Sequence, residues 1–518
     1  MNIDDMEGLD EATRKEVEKL LTVTREKDGN EEYVYSRFSI FYKVRLLEDC
    51  NIGIEALKDI KIEDSDYDIA QCYIVGEYLF TKNNIELAFE ALKNIRDVKE
   101  TRNFNYIFLR IAQLYIVDLE KRDTSKAAFA LNLCKSTHCY EVNCYLKICA
   151  LLDDAKTKVI GEYYLELFII LIEAHSLLVI NYNHEKEKSP ERKLAHYTNT
   201  NVANILLNNE LDDPKYIRLN TISNVNDPSE GQLLELLLDD KGSDYNESYF
   251  NKDFHAFISC FTLNHDSLNQ FRLYGKKDNK EASGISIVFK GSFFQKDKFS
   301  GMSFLSVGSK KEHNAGVDYS NATIEKNISI EEDSNKYLVM RCVYVDPKSD
   351  YIQLAHRDRL TFYREFDDKS LAESSWETYQ NEIKEKSKDF GDYFYKIKVA
   401  YRKILNEKKA LSSSDEKSEK YCEKLLDEIL LPLKYLIKHS AFQEEQECRM
   451  VYITSLEDTK VKMIYGEALY VDYELNVRDY LDKVYIAPAA TQYQPYLAKL
   501  LCNTDVKIEL SNNPYRQT

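Results

Sequence analysis

A single tryptophan, Trp376, with only 8 prolines and 15 glycines, stands in a chain of 518 residues. So few turn-formers argue for long helices and few tight turns. Excess basic charge is missing too. The formal net charge is −18, with no basic arm or stripe, which disfavours broad electrostatic binding to a phosphate backbone. A local basic groove would still admit a nucleic-acid substrate. No apolar run is long enough to cross a bilayer. The longest, YYLELFIILIEAHSLLVI (163–180), is interrupted by Glu166, Glu173 and His175 and reads as a buried helix. The first 21 residues are acidic and amphipathic, unlike a signal peptide, so a cytoplasmic protein without a membrane partner is expected. There is no G-x-S-x-G, no P-loop, no G-x-G-x-x-G and no recognisable Cys–His motif. Those absences count against hydrolase and dinucleotide-fold chemistry of the usual kinds.

What is present is a chain with 44% apolar and 12% aromatic residues, 38 of them tyrosine. That fills two or three cores and describes globular domains. Eleven cysteines in such a length are no disulfide framework. Cys134, Cys139, Cys144 and Cys149 recur every five residues, beside His138. A five-residue step turns roughly 140° around a helix, so these sulfurs diverge. They are expected to be small apolar fillers, and no metal ligand is assigned.

The N-terminal third repeats itself. EALKDI (55–60) returns as EALKNI (90–95), an offset of 35 residues. Gly76 and Ala88 supply small residues for close helix packing. A looser unit carries Ala112, Tyr115 and Ala127, and a degenerate fourth pair lies within 141–182. Residues 33–182 therefore resemble tetratricopeptide-like repeats, although the usual Trp and terminal Pro are missing. The resemblance implies a curved slab that binds a peptide, a protein or a second copy of the chain, or that serves as scaffold. The expected organisation is a repeat domain over 1–185, a linker over 186–193 and a second domain over 194–518.

Past that linker the apolar period changes. HYTNTNVANILLNNEL (196–211) reads as the end of a first strand, Leu194–Thr198, followed by a helix over Asn201–Asn208. Strands are expected within 254–263, 283–291, 336–346, 448–454, 482–488 and 506–511. Helices are expected over 350–406, 418–440 and 492–502. The fold class is thus a helical repeat array followed by a mixed α/β domain with a helical insertion at about 350–440. Residues 307–335 and 406–420 read as polar surface insertions.

Four motifs in this half hold more polar residues than a core needs: HYT (His196, Tyr197, Thr198), NVNDPSE (Asn226, Asp227, Pro228, Glu230), ISCF…FRLYG (Ser259, Arg272, Tyr274) and EEQECR (Glu444, Glu445, Glu447, Arg449). With GISIVF and SNNPYR, they resemble a bacterial family of domains of unknown function often encoded near phage-defence genes, with Phe271 where that family usually has Trp. The resemblance spans roughly residues 194–517 and implies a defence or toxin-type effector, without implying an activity.

The order His, Tyr, Glu also resembles the His–Tyr–Glu class of ADP-ribosyltransferases. That resemblance implies NAD as substrate, His196 on the adenosine-side ribose, Tyr274 stacking on nicotinamide, and Glu445 or Glu447 stabilising an oxocarbenium-like transition state. Tyr197, Thr198, Asn226, Asp227, Ser259 and Arg272 complete the expected NAD-binding set. Each residue also has a plainer reading. His196 can satisfy a strand end, NDP is a natural turn, and Arg272 can brace Glu445 or Glu447. Two other functions fit the residues. One is a metal-dependent nuclease or phosphodiesterase holding Mg²⁺ or Mn²⁺ on Asp227, Glu230, Glu445 and Glu447. The other is a non-enzymatic adaptor built on the repeats.

Overall fold

The computed structural model describes residues 11–23, 31–44, 51–64, 66–96, 104–134, 140–180, 182, 191–208, 214–221, 231–238, 254–275, 281–294, 337–412 and 416–514. A helical region comes first and a sheet-containing region second. Two compact units are formed. The first takes the described residues through 134 and 145–156. The second takes 140–144, 157–294 and 337–514.

The first unit is built of helical hairpins. After α1 (Glu11–Leu21) come α2 (Glu31–Val44) with α3 (Asn51–Lys58), α4 (Tyr67–Gly76) with α5 (Ile85–Leu92), and α6 (Asn105–Val117) with α7 (Thr124–Leu133). The repeated sequence explains the repeated packing. Ala56, Leu57 and Ile60 are buried, and so are Ala91, Leu92 and Ile95 at the 35-residue offset. The flanking charges repeat as well: Lys58 pairs with Glu55 at 2.8 Å, and Lys93 with Glu90 at 2.6 Å. In the third hairpin Ala130, Leu131 and Cys134 are buried in the same order. Cys134 thus fills the isoleucine position of the motif, with its sulfur 3.8 Å from the Ala130 carbonyl. Cys149 is also buried, which pushes its thiol up to about 12. Cys139 and His138 lie outside the described residues. The helix α8 (Tyr140–Asp153) is divided between the two units.

After the start of α8, the second unit continues with α9 (Lys158–Leu178), which includes the apolar run of 163–178. A strand, β1 (Ala195–Thr198), then leads into α10 (Thr200–Leu207). Asn199 makes that switch. Its side chain accepts from the backbone N–H groups of Asn201 (3.0 Å) and Val202 (2.9 Å), so the helix starts at once. The further elements are β2 (Ile217–Thr221), α11 (Leu233–Leu238), β3 (His255–Thr262), α12 (Leu268–Tyr274), β4 (Ile285–Phe289), β5 (Val339–Arg341), β6 (Val343–Val345), β7 (Ile352–Leu354), α13 (Arg359–Tyr363), α14 (Lys369–Ser412), α15 (Glu416–Lys434), β8 (Ile437–His439), β9 (Glu447–Thr454), β10 (Val461–Ile464), β11 (Ala468–Tyr473), β12 (Leu481–Ile486), α16 (Gln494–Leu500) and β13 (Lys507–Leu510).

The large sheet is ordered β10-β11-β2-β3-β1-β4-β12-β13, with β9 on the other edge of β3 and β5 beyond it. All its pairs are antiparallel except β12 with β13. The strand expected over 336–346 is in fact two. The chain leaves the large sheet at Cys342, and β6 joins a small sheet ordered β7-β6-β8. The helical insertion is α13 to α15. On α14 the buried positions 372, 376, 379, 383, 387, 390, 394, 397, 400 and 404 recur every three or four residues, the stripe that a packed helix needs. The sheet core holds Phe257, Phe261, Ile287, Phe289, Met450 and Tyr473, all buried. Each contributes roughly 1.5–3 kcal/mol by leaving water.

Candidate functional site

The central strand β3 is paired unevenly. On one edge β9 runs beside it throughout, from His255 opposite Thr454 to Thr262 opposite Glu447. On the other edge β2 covers only Phe257 and Ile258, and β1 touches only Thr262, through Ala195. The sheet therefore branches beside Ser259–Phe261. The His196 ring fills that fork: its Nδ1 lies 2.9 Å from the Cys260 carbonyl, in donor position. Burial lowers the imidazole's affinity for a proton, and the ring stands neutral.

Paired residues of an antiparallel ladder share a face. Cys260, Thr262, Glu447, Arg449 and Ala195 therefore lie on one face. His196, next after Ala195, falls on the other, where its ring meets Phe261 at 5.7 Å. Ser259 also points that way; it is buried, and its Oγ finds no partner among the described residues.

The Glu447 face is strongly charged. Glu447 accepts from Arg449 Nε (2.8 Å) and Nη2 (3.2 Å) and from Lys438 Nζ (2.5 Å). Glu445 accepts from the same Lys438 Nζ at 2.7 Å. Gln446 brings the two carboxylates to one amine. Its left-handed backbone, φ +48°, turns the chain from a short 3₁₀ segment, Ser440–Glu445, into β9, at a cost of about 1 kcal/mol. Burial alone would raise the Glu447 carboxyl, but Arg449 and Lys438 outweigh it and hold the group well below the usual carboxylate range. Glu445 is raised, chiefly by burial. Lys438 is raised despite its burial, chiefly by Glu447.

Tyr274 joins this face. It ends α12, and its phenol is pushed up by burial and then by the negative charges of Glu445 and Glu447. The residue is 36% exposed. Two glycines fix that position. Gly275 follows Tyr274 directly, and Gly284 directly precedes β4. A Cβ on Gly275 would stand 2.6 Å from Gly284 Cα. Both glycines belong to the FRLYG…GISIVF motif, and only residues without side chains can meet so closely.

The remaining expected site residues divide between structure and rim. Tyr197 Oη donates to the Asn264 carbonyl (2.8 Å) and accepts from the Ser267 N–H (2.8 Å), tying β1 to the start of α12. Thr198 is buried at the end of β1 opposite Ile285. Arg272 forms an ion pair with Glu281 at 2.8 Å, while the brace on Glu447 comes from Lys438 and Arg449. A cavity of about 250 Å³ opens here, lined by Ser267, Gln270, Arg272, Glu281, Phe442 and Glu445 among others. Asn226, Asp227, Pro228 and Glu230 lie outside the described residues.

Sequence reasoning missed Lys438, which sits in the three-residue strand β8, and Cys260, which alternation along β3 places beside Arg449. Among the described residues no group of three or more His, Cys, Asp or Glu is arranged to hold a metal ion. No helix of the described residues is long and apolar enough to cross a membrane. Comparison with protein-family models, with curated proteins and with solved structures returned no match.

Proposed function

We propose that the second unit is an ADP-ribosyltransferase-like enzyme that consumes NAD to modify a macromolecular target. The observation that carries this reading is one cluster. Tyr274, 36% exposed, stands in the field of two carboxylates, and one of these, Glu445, lines an open cavity with Arg272. Glu447 is engaged on both oxygens by Arg449 and Lys438, so its task is to hold those cations. Glu445 is then the carboxylate left to meet substrate. In the reaction the ribose C1′–nitrogen bond breaks, and nicotinamide leaves with the bonding pair as a neutral molecule. The acceptor's nucleophile forms the new bond to C1′ and loses its proton. Glu445 stabilises the positive charge that builds on the ribose, and Tyr274 offers nicotinamide a flat face. A cavity of about 250 Å³ takes one end of the dinucleotide and leaves the rest outside.

The helical hairpins, read as tetratricopeptide-like, bind a protein partner and make the chain a sensor-effector of the phage-defence or toxin type. Their supporting feature is an aromatic ridge running from α2 over α4 to Phe104, the residue before α6. Tyr42 and Tyr73 share a hydroxyl bond of 2.7 Å, and the Tyr73 ring meets Phe38 at 6.0 Å and Phe104 at 5.1 Å. The nuclease reading has less support. Lys438 and Arg449 occupy the two carboxylates it needs that lie among the described residues.

The experiment is incubation of the full chain with NAD labelled in the nicotinamide and in the adenylate, with and without extract of infected cells. Nicotinamide release with label transfer, lost in Glu445→Gln and retained in a surface control, is the expected outcome. No release in either condition, together with no NAD binding by calorimetry, sinks the proposal.

A further inference from the structure

A second, larger cavity lies on the other side of the connection between β3 and α12. It encloses about 550 Å³ and is lined by Arg192, Lys193, His265, Arg364, Lys483 and Tyr485 among others. Small-molecule sites typically measure ~300–1,000 Å³. None of its lining residues borders the cavity beside Glu445.

Most of its carboxylates are neutralised from within. Glu365 pairs with Arg192 (2.7 Å) and Arg357 (2.6 Å), Asp482 with Lys193 (2.5 Å), and Glu509 with Lys483 (2.9 Å). Glu191 pairs with the buried Arg341. Asp266 accepts from the Asn512 N–H (3.2 Å) and the Asn513 side chain (2.8 Å). Arg364 is exposed on the rim, and no carboxylate lies within ion-pair distance of it among the described residues.

His265 supplies the second handle. It is 6% exposed, and its Nε2 lies 2.5 Å from the Lys193 carbonyl. A carbonyl only accepts, so Nε2 carries the proton. Burial and then the Arg192 charge keep the ring neutral. Nδ1 is left as a bare acceptor on a ring that lines the cavity, with no partner among the described residues. The half-buried Tyr485 ring stands 6.4 Å from the imidazole, centre to centre.

We propose that this cavity binds a nucleoside monophosphate, its phosphate on Arg364 and an N–H of its base on His265 Nδ1, beside Tyr485. An ion of phosphate size would satisfy Arg364 alone and leave His265 and most of the volume unused. A polyphosphate would meet five carboxylates in the wall with a single uncommitted cation. This site is independent of the transferase reading, since it uses different residues and requires no reaction.

The test is calorimetric titration of the full chain with AMP, CMP, GMP and UMP, with inorganic phosphate and the parent nucleosides as further arms. One of the four nucleotides should saturate a single site. Arg364→Ala, an exposed change whose folding is checked by its thermal transition, should weaken binding roughly tenfold. Removing the phosphate from the ligand should cost about the same, and the two losses should not add. Arg272→Ala, beside the other cavity, should leave binding unchanged. The proposal is overturned by no saturation with any nucleotide at millimolar concentration, or by binding indifferent to Arg364→Ala. Loss of binding in Arg272→Ala, or inorganic phosphate binding as tightly as the nucleotide, overturns it equally.

Discussion

A Cβ placed on Gly284 would lie 2.5 Å from the Cα of Gly275. The two backbones touch where α12 ends and β4 begins, and Ser283 seals the contact by donating to the Gly275 carbonyl from both its N–H (3.1 Å) and its Oγ (2.7 Å). Because Tyr274 precedes Gly275, this contact sets how the tyrosine faces the carboxylates. Gly284→Ala should therefore destabilise the fold by about 3 kcal/mol, since backbone cannot yield as a side chain can. Gly391 is the control. It lies within α14, and the nearest atom to its Cβ position is Ile352 Cδ1 at 4.0 Å. Gly391→Ala should stabilise by roughly 0.5–1 kcal/mol. Urea denaturation of both variants checks the pair, and equal effects would remove the argument.

The Glu447–Arg449 pair is buried on both sides, and Arg449 Nη1 also donates to the Tyr435 carbonyl at 2.5 Å. Arg449→Met leaves a buried carboxylate with Lys438 alone. A loss of about 3–5 kcal/mol is expected. Adding Glu447→Gln should restore part of it, because the uncompensated charge then disappears. If the double variant is less stable than Arg449→Met, charge balance is not what the cluster supplies.

Much of this arrangement could be read from sequence, and the reason is local periodicity. β3, β4 and β9 are largely buried strands and β12 a half-buried one, and Glu447 with Arg449 falls on one face by alternation alone. β7 and β8 could not be read, because three residues are too few to show a period inside a helical stretch. β2 was missed although Ile217, Leu219 and Thr221 alternate as buried positions, since the polar run before it reads as loop. The charged cluster stayed hidden for a different reason. Lys438 and Glu447 are nine residues apart but belong to strands of different sheets, and His196 meets Cys260 across 64 residues. Such contacts are set by sheet order, which no local pattern encodes.

Stability should fall with acid in two stages. His175, His196 and His265 are all depressed by burial, His175 to about 4. Their unfolded forms take up protons first, so stability is lost as pH drops below ~6.5. Glu447 is held below its unfolded value, so its contribution is complete above ~4.3 and is lost as pH falls further toward the folded value. Glu445, raised by burial, works in the opposite direction: ionising it costs stability as pH rises from ~4.3. Glu447→Gln should flatten the curve only below ~4.3, and Glu445→Gln should slightly raise stability at neutral pH. Denaturation midpoints between pH 3 and 8 test this. A Glu447→Gln variant whose curve changes mainly near pH 6.5 contradicts the assignment.

His196 separates the enzymatic reading from a structural one. Its Nδ1 holds the Cys260 carbonyl at the fork where β1 and β2 part from β3, on the face opposite Glu447. Removing the ring leaves that carbonyl without this donor, a loss of roughly 1–3 kcal/mol. His196→Ala should therefore lower the denaturation midpoint, while the KM for NAD in the transferase reaction proposed above, measured on folded protein, changes less than about twofold. The opposite result, an unchanged midpoint with a large rise in KM, would place the imidazole against substrate. It would also require the dinucleotide to reach through the fork in the sheet.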